Sequence, residues 1–65
     1  MLVDCVAERL KDGRWHYVHD IARELDQPEE RILKIIQFFA EFKMVVFNEL
    51  GSRVRIDERF AKLFD

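Results

Sequence analysis

Apolar residues recur at helical spacing in three segments of this chain, and each recurrence predicts an amphipathic helix. In the first segment Leu2, Val6 and Leu10 follow at intervals of one turn, and charged side chains occupy the other face. In the longest segment the apolar stripe has the spacing i, i+3, i+4, i+7 and contains Ile32, Ile35, Ile36, Phe39 and Phe42. A stripe of this width packs one side of a helix on a core.

Residues with known preferences for helix ends mark the boundaries of these helices. Gly13 can take the left-handed turn that ends the first helix. Asp20 suits the positive N-terminus of the second helix, whose inner face contains Ile21 and Leu25. Residues 26–28, Asp-Gln-Pro, form a tight turn, and the proline fits the first turn of the third helix, where its missing N–H is not needed.

After the third helix the pattern changes to the two-residue alternation of β-strands. Two runs, residues 44–48 and 53–56, are joined at a turn that contains Gly51. The inward face is expected to hold Val45 and Phe47 opposite Val54 and Ile56, and the outward face Val46, Asn48, Arg53 and Arg55. An earlier β-prone run, residues 15–18, is too short for a hairpin of its own, so we expect it to pair with the later hairpin as a third strand.

Three stretches together resemble the winged helix-turn-helix domains of prokaryotic, particularly archaeal, transcriptional regulators. They are residues 21–25 (Ile-Ala-Arg-Glu-Leu), 28–32 (Pro-Glu-Glu-Arg-Ile) and 39–45 (Phe-Ala-Glu-Phe-Lys-Met-Val). In such families a glycine often precedes the first wing strand, and here Lys43 stands in its place. The resemblance implies a single α+β, mainly α domain over residues 1–65, with three helices, a short strand, a hairpin wing and a short C-terminal helix.

The resemblance also implies a DNA-binding site, with the third helix as the recognition helix. Arg31, Lys34 and Gln37 lie one turn apart on its outward face, where arginine and lysine can bind guanine edges or phosphates and glutamine can bind adenine. Arg53 and Arg55 would be the phosphate or minor-groove contacts of the wing. The expected function is sequence-specific or general binding of double-stranded DNA in a transcriptional regulator.

Charge gives this expectation only partial support, because the chain of 65 residues has a net charge of −2. The second half, residues 31–65, is the more basic half and the one that holds the predicted site. Glu30 and Glu41 near that face would repel phosphate. The alternative for the helix face is a solvated surface with pairs such as Glu30 with Lys34. For the two strand arginines the alternative is an edge strand protected by charge.

Exposed apolar residues favour a second hypothesis, a winged-helix module that binds another protein and little or no DNA. Leu33 and Phe38 lie near the recognition face, where they either pack under a neighbouring segment or contact a partner. Asp57 could cap a C-terminal helix with an apolar side. The apolar C-terminal residues, Phe60, Leu63 and Phe64, either close the core or form a homodimer with Leu2, Val3 and Val6 of a second copy.

Other chemistries find little support in the sequence. His16 and His19 have no recognised zinc spacing and no second cysteine, so no metal site or cofactor is predicted. The chain has no glycine-rich phosphate loop and no nucleophile beside a histidine, so an enzyme is not predicted. Trp15 and Tyr17 could stack on bases, but aromatic pairs at strand spacing are more often core residues.

Features of the N-terminal segment lead to two further expectations. Cys5, the one cysteine, excludes an internal disulfide and is expected to be a small buried hydrophobe. Asp4 and Glu8 interrupt the apolar run that a signal peptide would need, and no segment approaches the ~20 apolar residues that cross a membrane. A cytoplasmic location is therefore expected.

Overall fold

Helices precede and flank a small antiparallel sheet in this α+β structure, which is mostly helical. The computed structural model describes residues 1–48 and 50–62. In chain order the elements are α1 (Leu2–Leu10), β1 (His16–Tyr17), α2 (Val18–Glu24), α3 (Glu29–Glu41), β2 (Val45–Phe47), β3 (Arg53–Ile56) and α4 (Glu58–Ala61). The predicted helices, hairpin strands and early strand are thus confirmed in type and order. Leu63 and Phe64 lie outside the described residues.

The sheet has the strand order β1-β3-β2, with β3 in the centre. In the hairpin Val45 pairs with Ile56 and Phe47 with Val54, which confirms the predicted facing positions. On the other edge His16 pairs with Val54, so the early strand completes the sheet as predicted. The two strands that pair at this edge are far apart in sequence, and α2 and α3 lie between them along the chain.

One apolar core lies between the helices and the inner face of the sheet. It contains Val6, Leu10, Val18, Ile21, Ala22, Ile32, Ile36, Phe39, Val45, Val54 and Ile56. Phe42 was predicted to extend the α3 stripe, and this is wrong, because its side chain is 63% exposed. Phe42 follows the last residue of α3, and ten residues at 3.6 per turn leave it about 80° around the axis from Ile32.

Helix α1 directs Val6 and Leu10 into the core, packs the partly buried Leu2 and Ala7 against it, and exposes its remaining residues. Cys5 is exposed, so the prediction of a buried cysteine is wrong. It precedes Val6 by one residue, which corresponds to about 100° around the helix. Val6 is fully buried within this chain, so it cannot belong to the dimer surface predicted for it. Val3, which is 39% exposed, remains accessible.

Helices α2 and α3 each end in a hydrogen-bonded turn of the same type, in which a residue other than glycine has a positive φ. After α3, Lys43 has φ +60°, its N–H donates to the carbonyl of Ala40, and the N–H of Met44 donates to that of Phe39. After α2, Asp26 has φ +54°. The pair of bonds that closes each turn is the Schellman pattern, in which glycine is the usual left-handed residue. Lys43 thus adopts the conformation for which glycine is favoured.

Helix α4 begins with a side-chain cap, as predicted. The carboxylate of Asp57 accepts a hydrogen bond of 2.8 Å from the backbone N–H of Arg59. Its Oδ1 also accepts a bond of 3.2 Å from the Nε of Arg59. These hydrogen bonds to Arg59 lower the pKa of Asp57 below its ordinary value.

Candidate nucleic-acid interface

The predicted contact residues of the third helix lie on the exposed side of α3. We call Arg31, Lys34 and Gln37 the α3 outer face, and all three are exposed. They lie opposite the part of the helix that contributes Ile32 and Ile36 to the core. Because the core fixes this side of α3, the opposite side presents these three polar side chains, together with the exposed Phe38, to a ligand.

A hydrogen bond holds Arg31 of this face, whereas Lys34 has no ion-pair partner in the part of the chain that the structure describes. The Nη1 of Arg31 donates to the Oε1 of Gln27 over 3.1 Å, and the backbone N–H of Gln27 donates to Ala22 at the end of α2. Lys34 takes part in none of the ion pairs among residues 1–48 and 50–62, so the alternative pair with Glu30 does not form. Both cations therefore remain available to an anionic ligand.

A chain of side chains joins the beginning of α2 to the beginning of α3. The guanidinium of Arg23 donates to the Nε2 of His19 over 3.0 Å. Since arginine can only donate, Nε2 accepts, and the proton lies on Nδ1, which donates to the Oε2 of Glu29 over 3.3 Å. These contacts add to the shared core in fixing the angle between the two helices.

The strand arginines lie on a different surface from the α3 outer face. Arg53 and Arg55 alternate along β3 with Val54 and Ile56, both of which are buried. Their side chains therefore leave the sheet on the face away from the core, as the alternation predicted. No hydrogen bond or ion pair between described residues connects them with Arg31, Lys34 or Gln37, so the two predicted sets are not brought into contact.

Each strand arginine lies over an aromatic ring. The guanidinium carbon of Arg53 is 5.6 Å from the centroid of the Tyr17 ring, and that of Arg55 is 5.2 Å from the centroid of the Trp15 ring. Both distances fall within the range of cation–π attraction. Trp15 is 44% exposed and Tyr17 51% exposed, so their prediction as core residues is wrong. The inward position beside them belongs to Val18, which is buried.

We call Trp15, Tyr17, Arg53 and Arg55 the outer sheet face. The prediction named the two arginines as contacts but did not associate them with the rings. Trp15 and Tyr17 are two residues apart in sequence, and so are Arg53 and Arg55. This spacing indicates that the two rings share one face and that the two arginines share one face. Their association depends on the register between β1 and β3, where Tyr17 pairs with Arg53.

The residues predicted for a protein interface divide into buried and exposed groups. Leu33 and Phe60 are partly buried and pack against the core. Phe38 is 54% exposed, and its ring meets that of Phe42 edge-on with a centroid distance of 5.1 Å. Leu63 and Phe64, the other two predicted members, are among the residues that are not described. An exposed aromatic pair therefore lies at the C-terminal end of α3.

The two histidines take part in hydrogen bonds. His16 Nε2 and Asp12 Oδ1 are 2.9 Å apart. Although desolvation raises the pKa of Asp12, hydrogen bonds from His16 and from the backbone N–H of Arg14 lower it below its ordinary value. Within residues 1–48 and 50–62, no group of three histidine, cysteine, aspartate or glutamate side chains is arranged to hold a metal ion.

The function of this chain has to be inferred from the chemistry of the surfaces described above. None of the helices in the described ranges is long and apolar enough to cross a membrane. No protein-family model, curated protein or solved structure matches this chain.

Proposed function

We propose that the chain is a winged helix-turn-helix domain that binds double-stranded DNA and acts as a transcriptional regulator. The observation that carries this proposal is the α3 outer face, where Arg31, Lys34 and Gln37 are exposed and no carboxylate among residues 1–48 and 50–62 pairs with either cation. Helix α3 follows α2 after a tight turn, which is the arrangement that places a recognition helix in the major groove.

On this proposal α3 enters the major groove with its N-terminal half foremost. Arg31 and Lys34 bind phosphates or the O6 and N7 atoms of guanine, and Gln37 pairs with adenine. The hydrogen bond from Arg31 to Gln27 limits the positions open to the guanidinium, so less entropy is lost when it binds. The hairpin of β2 and β3 is the wing, and Arg53 and Arg55 supply positive charge to the flanking backbone.

A homodimer would suit this mode of binding, because two recognition helices related by a two-fold axis read two half-sites. The half-sites would lie about 34–36 Å apart, which is one turn of the duplex. Val3 and the partly buried Leu2 are accessible residues of α1 that this dimer could use.

The direct test is a titration of labelled random-sequence duplex DNA at low and moderate salt, with the mass of the complex measured on the same sample. We expect affinity to fall with salt, with a log–log slope of about 0.9 per phosphate contact. The double variant Arg31→Ala with Lys34→Ala should bind more weakly and with a shallower slope. An unchanged slope in this variant would refute the assignment of α3.

The matched control removes two cations from α1. Arg9 and Lys11 already pair with Glu24 and Glu8, so they should contribute little to DNA binding. The variant Arg9→Ala with Lys11→Ala has the same net charge as the α3 variant. Any difference between the two variants therefore reports the position of the charges and not their number.

A second candidate function is a protein-interaction module, favoured by the exposed pair of Phe38 and Phe42. Aromatic residues exposed side by side are common at protein interfaces and rare elsewhere on a surface. Binding through this pair would depend little on salt, whereas DNA binding would depend steeply on it. Failure to bind duplex DNA at low salt would favour this second function.

A further inference from the structure

The outer sheet face combines aromatic and cationic groups in two stacked pairs, Arg53 with Tyr17 and Arg55 with Trp15. Arg53 and Arg55 are two residues apart in β3, and Trp15 directly precedes β1, which contains Tyr17. Two residues of extended backbone span about 6.7 Å. The rings leave about half of their surface open to solvent, as their exposed fractions of 51% and 44% show. A sheet surface with this composition has the elements that stack and hold nucleotides.

Both arginines keep their charge available for a ligand. Neither takes part in an ion pair among the described residues. The Nε of Arg55 is buried and has no hydrogen-bond partner among the described residues, and the guanidinium lies against the ring of Trp15. Asp57, just beyond β3, is bonded to Arg59 and does not pair with Arg55.

The turn before β3 is also fixed by hydrogen bonds. The Oδ1 of Asn48 accepts bonds of 3.0 Å from the backbone N–H groups of Ser52 and Arg53. The central position of β3 between two paired strands adds to this constraint. The outer sheet face therefore has a fixed backbone on which its four side chains are arranged before any ligand binds.

We propose that the outer sheet face binds the unpaired nucleotides of a single-stranded nucleic acid. Bases stack on Trp15 and Tyr17, and phosphates contact Arg53 and Arg55. The proposal shares Arg53 and Arg55 with the wing of the duplex proposal, but it does not depend on α3, because the bases stack on Trp15 and Tyr17 and the ligand is a single strand. A wing that contacted only phosphates would need the arginines but would have no use for exposed rings.

The spacing of the stacked pairs favours a single strand over a duplex. In a duplex the phosphates of each strand advance by about 3.4 Å, and the base faces are already stacked on one another. Residues two apart on an extended backbone are about 6.7 Å apart, about twice that advance, so bases that stack on both rings belong to an extended strand and are free of a duplex stack. The surface therefore selects nucleotides that are not paired.

The chain carries its own reporter for this proposal, since Trp15 is its one tryptophan. We would titrate the unmodified protein with a thymidine oligonucleotide about twelve nucleotides long, and separately with uridine of the same length, which tests RNA. Quenching of the Trp15 fluorescence by either strand supports the proposal, and the tighter ligand identifies the sugar. Unquenched fluorescence with both strands at low salt overturns it, as does equal affinity for the thymidine strand and for its duplex with adenosine.

Variants separate binding from a purely structural role of the rings. Because the Trp15 variants lack the fluorescent residue, all variants are titrated against a labelled thymidine oligonucleotide. Trp15→Leu and Tyr17→Leu should each weaken its binding about 5- to 150-fold, the equivalent of one lost stacked base. Trp15→Phe and Tyr17→Phe keep a ring and should restore most of the affinity. The control Phe38→Leu removes an exposed ring elsewhere and should have no effect. Equal affinity of the leucine and phenylalanine variants would overturn the proposal.

The α3 variant distinguishes this proposal from the previous one. Arg31→Ala with Lys34→Ala should reduce duplex binding and leave the single-strand affinity within about two-fold of its original value. If the protein does not bind duplex DNA but the thymidine strand quenches the Trp15 fluorescence, duplex binding by α3 is refuted and single-strand binding by the outer sheet face is supported. Loss of single-strand binding in the α3 variant, with no loss in the Trp15 and Tyr17 variants, would overturn the present proposal.

Discussion

The α3 outer face and the outer sheet face both present two cations to solvent but hold them differently. On α3, Lys34 has no ion-pair partner among the described residues, and Arg31 bonds only to the amide of Gln27. On the sheet, Arg53 lies over a ring from β1 and Arg55 over the ring of the residue that precedes β1. The helix therefore offers one cation held by an amide and one without an ion-pair partner in the described part of the chain, and the sheet offers two cations in contact with aromatic rings.

This difference teaches that similar charge can serve different ligands. Exposed cations without aromatic neighbours contribute to duplex binding mainly through electrostatic attraction, which is sensitive to salt. Cations that lie over rings have less freedom to lose on binding, and in our proposal they belong to a surface that also accepts a flat base. Net charge alone would not have distinguished the two faces.

The largest expected effect comes from the core residue that both faces depend on. Phe39 is 6% exposed and lies where α3 meets the sheet, so Phe39→Ala should lower the free energy of unfolding by about 3–5 kcal/mol. Phe42→Ala is the control, because Phe42 is exposed and its removal should cost only about 0.5 kcal/mol. Chemical denaturation measures both. Similar losses in the two variants would mean that α3 is packed in another register.

An intermediate effect should separate the two faces by their contribution to stability. Arg53→Ala with Arg55→Ala removes two cation–π contacts, each worth about 0.5–1 kcal/mol, so thermal or chemical unfolding should show a loss of about 1–2 kcal/mol. Arg31→Ala with Lys34→Ala removes two cations without such contacts and should change stability by less than about 0.5 kcal/mol. Equal stability of the two double variants would mean that the contacts with the rings do not stabilise the arginines of the outer sheet face.

The smallest expected effect concerns the turn that joins α3 to the sheet. Lys43 has φ +60°, a conformation that costs an ordinary residue about 1–2 kcal/mol. Lys43→Gly removes that cost but gives the unfolded chain more freedom, so we expect a net gain in stability of about 0.5–1 kcal/mol. The control Lys43→Ala removes the charge and keeps the Cβ. A gain in the alanine variant as large as in the glycine variant would indicate that charge, and not φ, is responsible.

The helices and the hairpin could be predicted from the sequence because the position of a residue in a periodic pattern determines whether it faces the core or the solvent. The spacing of Ile32, Ile36 and Phe39 predicted the buried side of α3, and the alternation of Val54 and Ile56 predicted the register of the hairpin. The prediction that Phe42 continues the buried stripe was wrong because α3 ends at Glu41. The last hydrogen bond of a helix determines its end, and apolar spacing alone does not show where that bond lies.

The candidate site was predicted only in part, for a different physical reason. The exposed positions of Arg31, Lys34 and Gln37 follow from helical spacing alone. The contacts of Trp15 with Arg55 and of Tyr17 with Arg53 join residues that are remote in sequence. Nothing in either segment specifies that the other will lie beside it, because this depends on the path of the chain through α2 and α3. Because the register between β1 and β3 could not be predicted, Trp15 and Tyr17 were wrongly predicted to be core residues.

The central position of β3 has a consequence for the order in which the molecule is made. The hairpin can form from its own neighbouring residues, whereas pairing of His16 with Val54 must wait until α2 and α3 have brought the two segments together. As the chain emerges from the ribosome, its helices can fold while β1 still has no partner. The aromatic rings acquire their arginines only after β3 has been synthesised and has paired with β1, so this surface is among the last parts of the fold to form.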